Sequence, residues 1–189
     1  METQPQNKDK KTMFKIFLPW QDEQEEKWLE EMSVNGWRLK STSPYLYTFN
    51  QTEPERIVYR LDYKQTLDKD YQEYLNIFKD AGWELAAVMS NWHYFRIQPQ
   101  NQAVPEIFNS DRAKAQKYRR LLYGLMPFFI LFIVLFPRTV NFESLRIGTF
   151  LGILYTFAMI LMGILFILWI FIFIKLLLKI RRLESHMRE

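Results

Sequence analysis

At 189 residues the chain has room for one modest soluble domain and, near its C-terminus, two long apolar runs. It has no cysteine, which excludes disulfides, thiol catalysis and cysteine metal sites and fits a reducing compartment. The formal charge of +4 is not one basic patch: residues 1–110 carry thirteen Lys and Arg against seventeen Asp and Glu, so the basic excess lies beside the apolar runs, which argues against nucleic acid and for anionic lipid headgroups.

Residues 1–12 are polar and rich in Lys and Gln, and read as a disordered tail. Residues 13–98 carry an internal repeat. Trp28-Leu29, Met32, Asn35-Gly36-Trp37 and Leu39 return forty-six residues later as Tyr74-Leu75, Phe78, Ala81-Gly82-Trp83 and Leu85. Tyr47 and Phe49 return in the same way as His93 and Phe95. The first unit reads as a strand at 14–18 and then a helix opened by an Asp22/Glu25 capping box. Gly36 closes that helix in the left-handed conformation, and two strands follow around a Ser43-Pro44 turn. The second unit repeats this with a strand at 57–63, a helix capped by Asp68 and closed by Gly82, and strands at 83–89 and 92–97 turned near Ser90-Asn91. The expected fold is therefore a duplicated βαββ domain of the α+β class. It is a ferredoxin-like sandwich with an additional strand, both helices lying on one face of an antiparallel-rich sheet.

Residues 99–120 read as a linker and a basic juxtamembrane helix. Residues 121–136 are sixteen uncharged residues, about 24 Å as a helix, a little short of a hydrocarbon core of roughly 30 Å. Flanking Arg119, Arg120 and Arg138 can reach the interface along their stems. Residues 147–174 form a second, longer uncharged run. The two read as transmembrane helices joined by a short external loop, 137–146, with a basic cytoplasmic tail at 175–189. Lys and Arg concentrate before the first run and after the second, so both termini are expected in the cytoplasm of a two-pass protein of the inner or plasma membrane. Gly148, Gly152 and Thr156 fall at four-residue spacing and form a candidate helix-packing face.

Little here speaks of chemistry. The acids Asp22, Glu23, Glu25, Glu26, Glu30 and Glu31 read as a solvated helix face rather than a metal site. His93 is a lone histidine between aromatic residues. No glycine loop for phosphates, nucleophile elbow or metal-ligand spacing occurs, so neither enzyme activity nor a cofactor is expected. Tyr45, Tyr47, Phe49, Tyr59, Tyr63, His93 and Phe95 alternate along neighbouring strands. They form either the core beneath the helices or an exposed face for a ligand or partner.

Taken together, Glu26-Lys27-Trp28-Leu29, Asn35-Gly36-Trp37-Arg38-Leu39, Tyr59-Arg60-Leu61-Asp62, Ala81-Gly82-Trp83-Glu84 and Trp92-His93-Tyr94-Phe95-Arg96 resemble an uncharacterised family of bacterial membrane proteins. This is a domain-of-unknown-function family, often encoded beside PadR-type regulators. The resemblance covers roughly residues 13–110, implies a structural domain without established activity, and hints at a stress or drug response. The expected function is that of a membrane-anchored, non-enzymatic regulatory or interaction protein, with the lipid bilayer and a protein partner or a second copy as its contacts. The alternative is a sensor binding a small hydrophobic molecule on the aromatic sheet face.

Overall fold

The computed structural model describes residues 9–99, 111–139 and 150–185. The chain divides into two compact units, Met1–Ala113 and Lys114–Glu189.

The first unit runs β1 (Lys10–Phe14), α1 (Asp22–Val34), β2 (Trp37–Ser43), β3 (Leu46–Gln51), β4 (Val58–Tyr63), α2 (Tyr71–Asp80), β5 (Glu84–Met89) and β6 (Trp92–Ile97). Its strands make two three-stranded antiparallel sheets, ordered β1-β3-β2 and β4-β6-β5. Both halves follow the same path: an outer strand, a helix, the other outer strand, then a hairpin back into the middle. The glycine after each helix, Gly36 and Gly82, has φ of 80° and 86°. That conformation is open to glycine at little cost and ends the helix as expected. Each outer strand that follows breaks register at the same point, between Leu39 and Ser41 and between Leu85 and Ala87.

The expectation of one sheet with both helices on one face is corrected. Helix α1 lies between the two sheets. Its Trp28 meets Tyr47 and Phe49 of β3 edge-on, at 4.9 and 5.6 Å between ring centres, while its polar side chains bond β4. Helix α2 covers the other face of the second sheet, where Phe78 stacks on Phe95 at 4.0 Å. The main core thus gathers Trp28, Leu29, Leu39, Phe49, Tyr59, Leu61 and Tyr94 from α1 and both sheets. A smaller one gathers Val58, Trp83 and Phe95 beneath α2.

Three local expectations shift. The first strand begins at Lys10, inside the stretch read as tail, because Lys10–Phe14 finds a partner in β3. Helix α1 starts at Asp22 with Gln21, not Asp22, at the cap position; the Gln21 side chain makes no bond to the helix and its carbonyl accepts the Leu18 N–H at 2.8 Å. Asp70 rather than Asp68 precedes α2, and both carboxylates pair with Lys64. Residues 1–8 of the expected tail and 100–110 of the expected linker lie outside the described residues.

The second unit contains α3 (Asp111–Thr139), which begins at the end of the first, and α4 (Phe150–Ser185). Both are long and apolar enough, by length and composition, to cross a membrane. Helix α3 continues through Pro127. Helix α4 carries on well past 174, so residues 175–185 of the expected tail are helical. Residues 140–149, most of the expected external loop, and 186–189 lie outside the described residues.

Candidate functional site

The acidic run of α1 is a solvated face only in part. Glu23 and Glu31 are exposed, whereas Asp22, Glu25 and Glu26 are buried, and Glu26 and Glu30 clasp the outer edge of β4. A helix sets residues 26, 30 and 33 on one face, and a strand aims every second N–H outward. The two periods meet here. Glu26 Oε1 accepts from the Leu61 N–H at 2.7 Å, Glu30 Oε1 from Tyr59 at 3.3 Å, and Ser33 Oγ from Ile57 at 3.2 Å. Arg60 Nη1 stands 2.8 Å from Glu30 and 3.7 Å from Glu26, so a cation offsets the two carboxylates. Helix side chains thereby do the work of a neighbouring strand and cap an edge that would otherwise carry unpaired donors.

Glu25 faces the interior. Its Oε1 accepts from the hydroxyls of Tyr47 and Tyr94, at 2.6 and 2.7 Å, one from each sheet. Burial pushes its carboxyl above the ordinary range, the two tyrosines pull it partly back, and nearby Asp22 adds to the rise. The same burial, with the carboxylate beside them, pushes both tyrosine hydroxyls up. A second bridge runs through Leu39. Its N–H donates to Tyr59 Oη at 3.3 Å, and its carbonyl accepts from Arg96 Nη1 at 3.1 Å. Hydrogen bonds from Arg96 hold the Glu84 carboxyl below its usual range.

His93 is wholly buried. Its Nδ1 lies 3.1 Å from the Asn91 carbonyl, which can only accept, so that nitrogen carries a proton. Its Nε2 lies 2.9 Å from the Tyr71 hydroxyl. Next to it in register, Asp62 accepts from Tyr74 Oη at 3.1 Å. These contacts tie α2 to the second sheet. Among the described residues, no three His, Asp or Glu side chains are placed to hold a metal ion.

The seven aromatic-stripe residues do not form one exposed face. Tyr47, Phe49 and Tyr59 belong to the main core, Phe95 to the smaller one, and Tyr63 and His93 are buried. Tyr45 alone of the seven is exposed, at 52%, where its ring approaches Phe14. Of the helix-packing trio, Gly148 lies outside the described residues. Gly152 is buried, and Thr156 Oγ1 donates back to the Gly152 carbonyl at 2.9 Å.

Two features escaped sequence reasoning. Tyr94 sits between His93 and Phe95 and points to the opposite face of β6, as strand alternation requires. The other is a groove of about 480 Å³ between α2 and β5, lined among others by Gln72, Leu75, Asn76, Lys79 and Leu85. The forty-six-residue offset was the signal for it, since it carries the α1 clasp positions onto α2.

The chain thus joins an α+β unit of two small sheets to a pair of long apolar helices. A family model described as "Protein of unknown function (DUF2812)" matches residues 21–132, more than half of the chain, and the chain belongs to that family. The match runs from the N-terminal edge of α1 into α3. No curated protein and no solved structure matches the chain.

Proposed function

We propose that this protein is a membrane-anchored, non-enzymatic regulatory or interaction protein, with α3 and α4 in the bilayer and both termini in the cytoplasm. The observation that carries the anchor is α4. Phe150, Ile153, Phe157, Ile160, Ile164, Ile167 and Phe171 are all exposed, along with many residues between them. Those seven, at alternating spacings of three and four, line one face of the helix, and exposed Leu151, Leu154, Leu161, Leu165 and Leu168 widen it into a broad apolar surface, which water does not tolerate and lipid does. The basic residues at 112–120 and 175–182 support the orientation. The recurrence of turns, register breaks and helix ends at a near-constant offset supports reading the first unit as a duplicated βαββ module.

The surface we assign to a protein partner is the outer edge of β1. It is an edge strand, and exposed Phe14, Ile16, Tyr45 and Leu46 flank it, at 67, 54, 52 and 44%. An open strand edge with apolar side chains beside it suits strand addition. A photo-crosslinking amino acid placed at Phe14 or Tyr45, in the full chain in native membranes, tests this. We expect adducts of discrete mass with a protein, or with a second copy. The same probe at Leu67, which is 95% exposed in another part of the unit, should give none. Lipid adducts alone, or equal yields at all three positions, contradict the proposal.

A further inference from the structure

The groove beside α2 has a filled counterpart in the same unit. Gln72, Asn76 and Lys79 stand forty-six residues after Glu26, Glu30 and Ser33, the three side chains that clasp β4. Leu75, Leu85 and Phe95 likewise follow Leu29, Leu39 and Phe49. In the first half, residues 52–61 run through this space. The Thr52 N–H donates to the Gly36 carbonyl at 2.9 Å and the Glu55 N–H to the Ser33 carbonyl at 3.2 Å. Ile57, Tyr59 and Leu61 then close over Leu29 and Leu39, which are 0 and 1% exposed. Among the described residues, none fills the matching space beside α2. There Leu75 is half-buried and Leu85 is 36% exposed. A Cβ on Gly82 would meet only Ile97, where one on Gly36 would strike the Thr52 carbonyl.

We propose that the α2 groove receives an extended segment of a partner protein, apolar at alternate residues and acidic where it passes Lys79. The shape follows from the filled counterpart, where Ile57, Tyr59 and Leu61 set alternate side chains on the apolar floor and turn their N–H groups to the helix. The charge follows from the exchanges across the offset. Glu26 and Glu30 face Arg60, whereas Gln72 and Asn76, in their places, keep an acceptor oxygen for a strand N–H but call for no cation. Ser33 becomes Lys79, which can only donate, so it suits a carboxylate. Glu84 also lines the groove, but Arg96 holds its carboxylate at 2.6 and 2.9 Å. Among the lining residues, Lys79 is thus the charge left to an occupant. The β1 strand of a second copy fits less well. It carries Lys10 and Lys11, and aligned on β4 through its pairing with β3 it turns Lys10 and Thr12 toward the apolar floor. This surface is separate from the β1 edge, and the proposal stands without the partner assigned there.

Fluorescence polarisation of two labelled synthetic peptides, titrated with the full chain in nanodiscs, tests this. One peptide has the sequence of residues 53–63, the segment seated in the filled counterpart. The other is the same with Arg56→Glu and Arg60→Gln. Residues 55 and 57 both bond Ser33, so position 56 is the one carried beside Lys79. The altered peptide should bind the natural chain at least roughly threefold more tightly at low salt. Lys79→Glu should reverse that order. Leu85→Gln, which puts an amide on the apolar floor, should weaken both peptides at least roughly fivefold. Both side chains are exposed, so neither change threatens the fold, and neither lies in the sheet of β1, so binding at that edge would not respond. No binding by either peptide, equal binding by the two, or binding indifferent to both substitutions overturns the proposal. Self-association of the natural chain that Leu85→Gln abolishes would give the groove to a second copy and overturn it as well.

Discussion

Two helices in one unit, with matching positions forty-six residues apart, meet different fates. Helix α1 is enclosed between two sheets with a strand in its groove, and seven of its thirteen residues are buried. Helix α2 lies on one sheet and has no fully buried residue. The difference is not one of apolar content, since Leu29 and Leu75 occupy the same place. It is a difference in what the neighbouring chain supplies. Ile57 and strand β4 bring outward N–H groups and the side chains of Ile57, Tyr59 and Leu61 to α1, and Glu26 and Glu30 accept from two of those donors. A run of acids can therefore be an interior feature when a strand edge lies opposite.

The largest effect expected from this contrast is on the paired leucines. Leu29→Ala should lower the stability of the first unit by about 3 kcal/mol, as for a fully enclosed leucine, and Leu75→Ala by only about 1. Urea unfolding followed by tryptophan fluorescence measures both. Equal losses would mean the two grooves are equally filled. Next comes the clasp. Glu26→Ala removes the carboxylate that accepts the buried Leu61 N–H and should cost about 2 kcal/mol, against no more than about 0.5 for Gln72→Ala.

The glycines come third. A Cβ on Gly36 would stand 2.9 Å from the Thr52 carbonyl, whereas one on Gly82 meets only the flexible end of Ile97, at 3.4 Å. Both substitutions strain a left-handed residue by about 1 kcal/mol, and the backbone clash should make Gly36→Ala roughly twice as costly in the same unfolding experiment.

The smallest effect is one of pH. The Glu25 carboxyl is raised from 4.5, so the folded state holds that proton more firmly than the unfolded chain. Its contribution is fully present below 4.5 and is lost as pH rises through the higher folded value. Gln at this position keeps an acceptor oxygen for both tyrosines and has no proton to lose. Stability measured from pH 4.5 to pH 8 should therefore fall for the natural chain relative to Glu25→Gln. A constant gap between them would show that Glu25 titrates as it does in water.

Much of the module was legible in local sequence. Gly36 and Gly82 mark helix ends by a conformation other residues avoid, and alternation from Tyr45 to Phe49 and from Trp92 to Ile97 marks strands. What stayed hidden depends on pairing between distant segments. Nothing near Glu26 or Glu30 reveals that the N–H groups of β4 wait opposite them, so the run looks like a surface. The aromatic stripe failed as a guide to exposure for a related reason. The second sheet is covered on both faces, by α1 and its neighbours on one and α2 on the other, so Tyr59 and Phe95 are both interior although they face opposite ways. Tyr45 is exposed because it sits at the turn before β3, with φ of 67°.

The anchor is the claim on which the proposed function rests, and cysteine labelling in intact cells tests it most directly. With Ser144→Cys as the sole thiol, the account predicts reaction with a membrane-impermeant maleimide before lysis, while Lys69→Cys reacts only after lysis. Labelling of Lys69→Cys in intact cells, or release of the unlabelled chain from membranes by an alkaline carbonate wash, would contradict it.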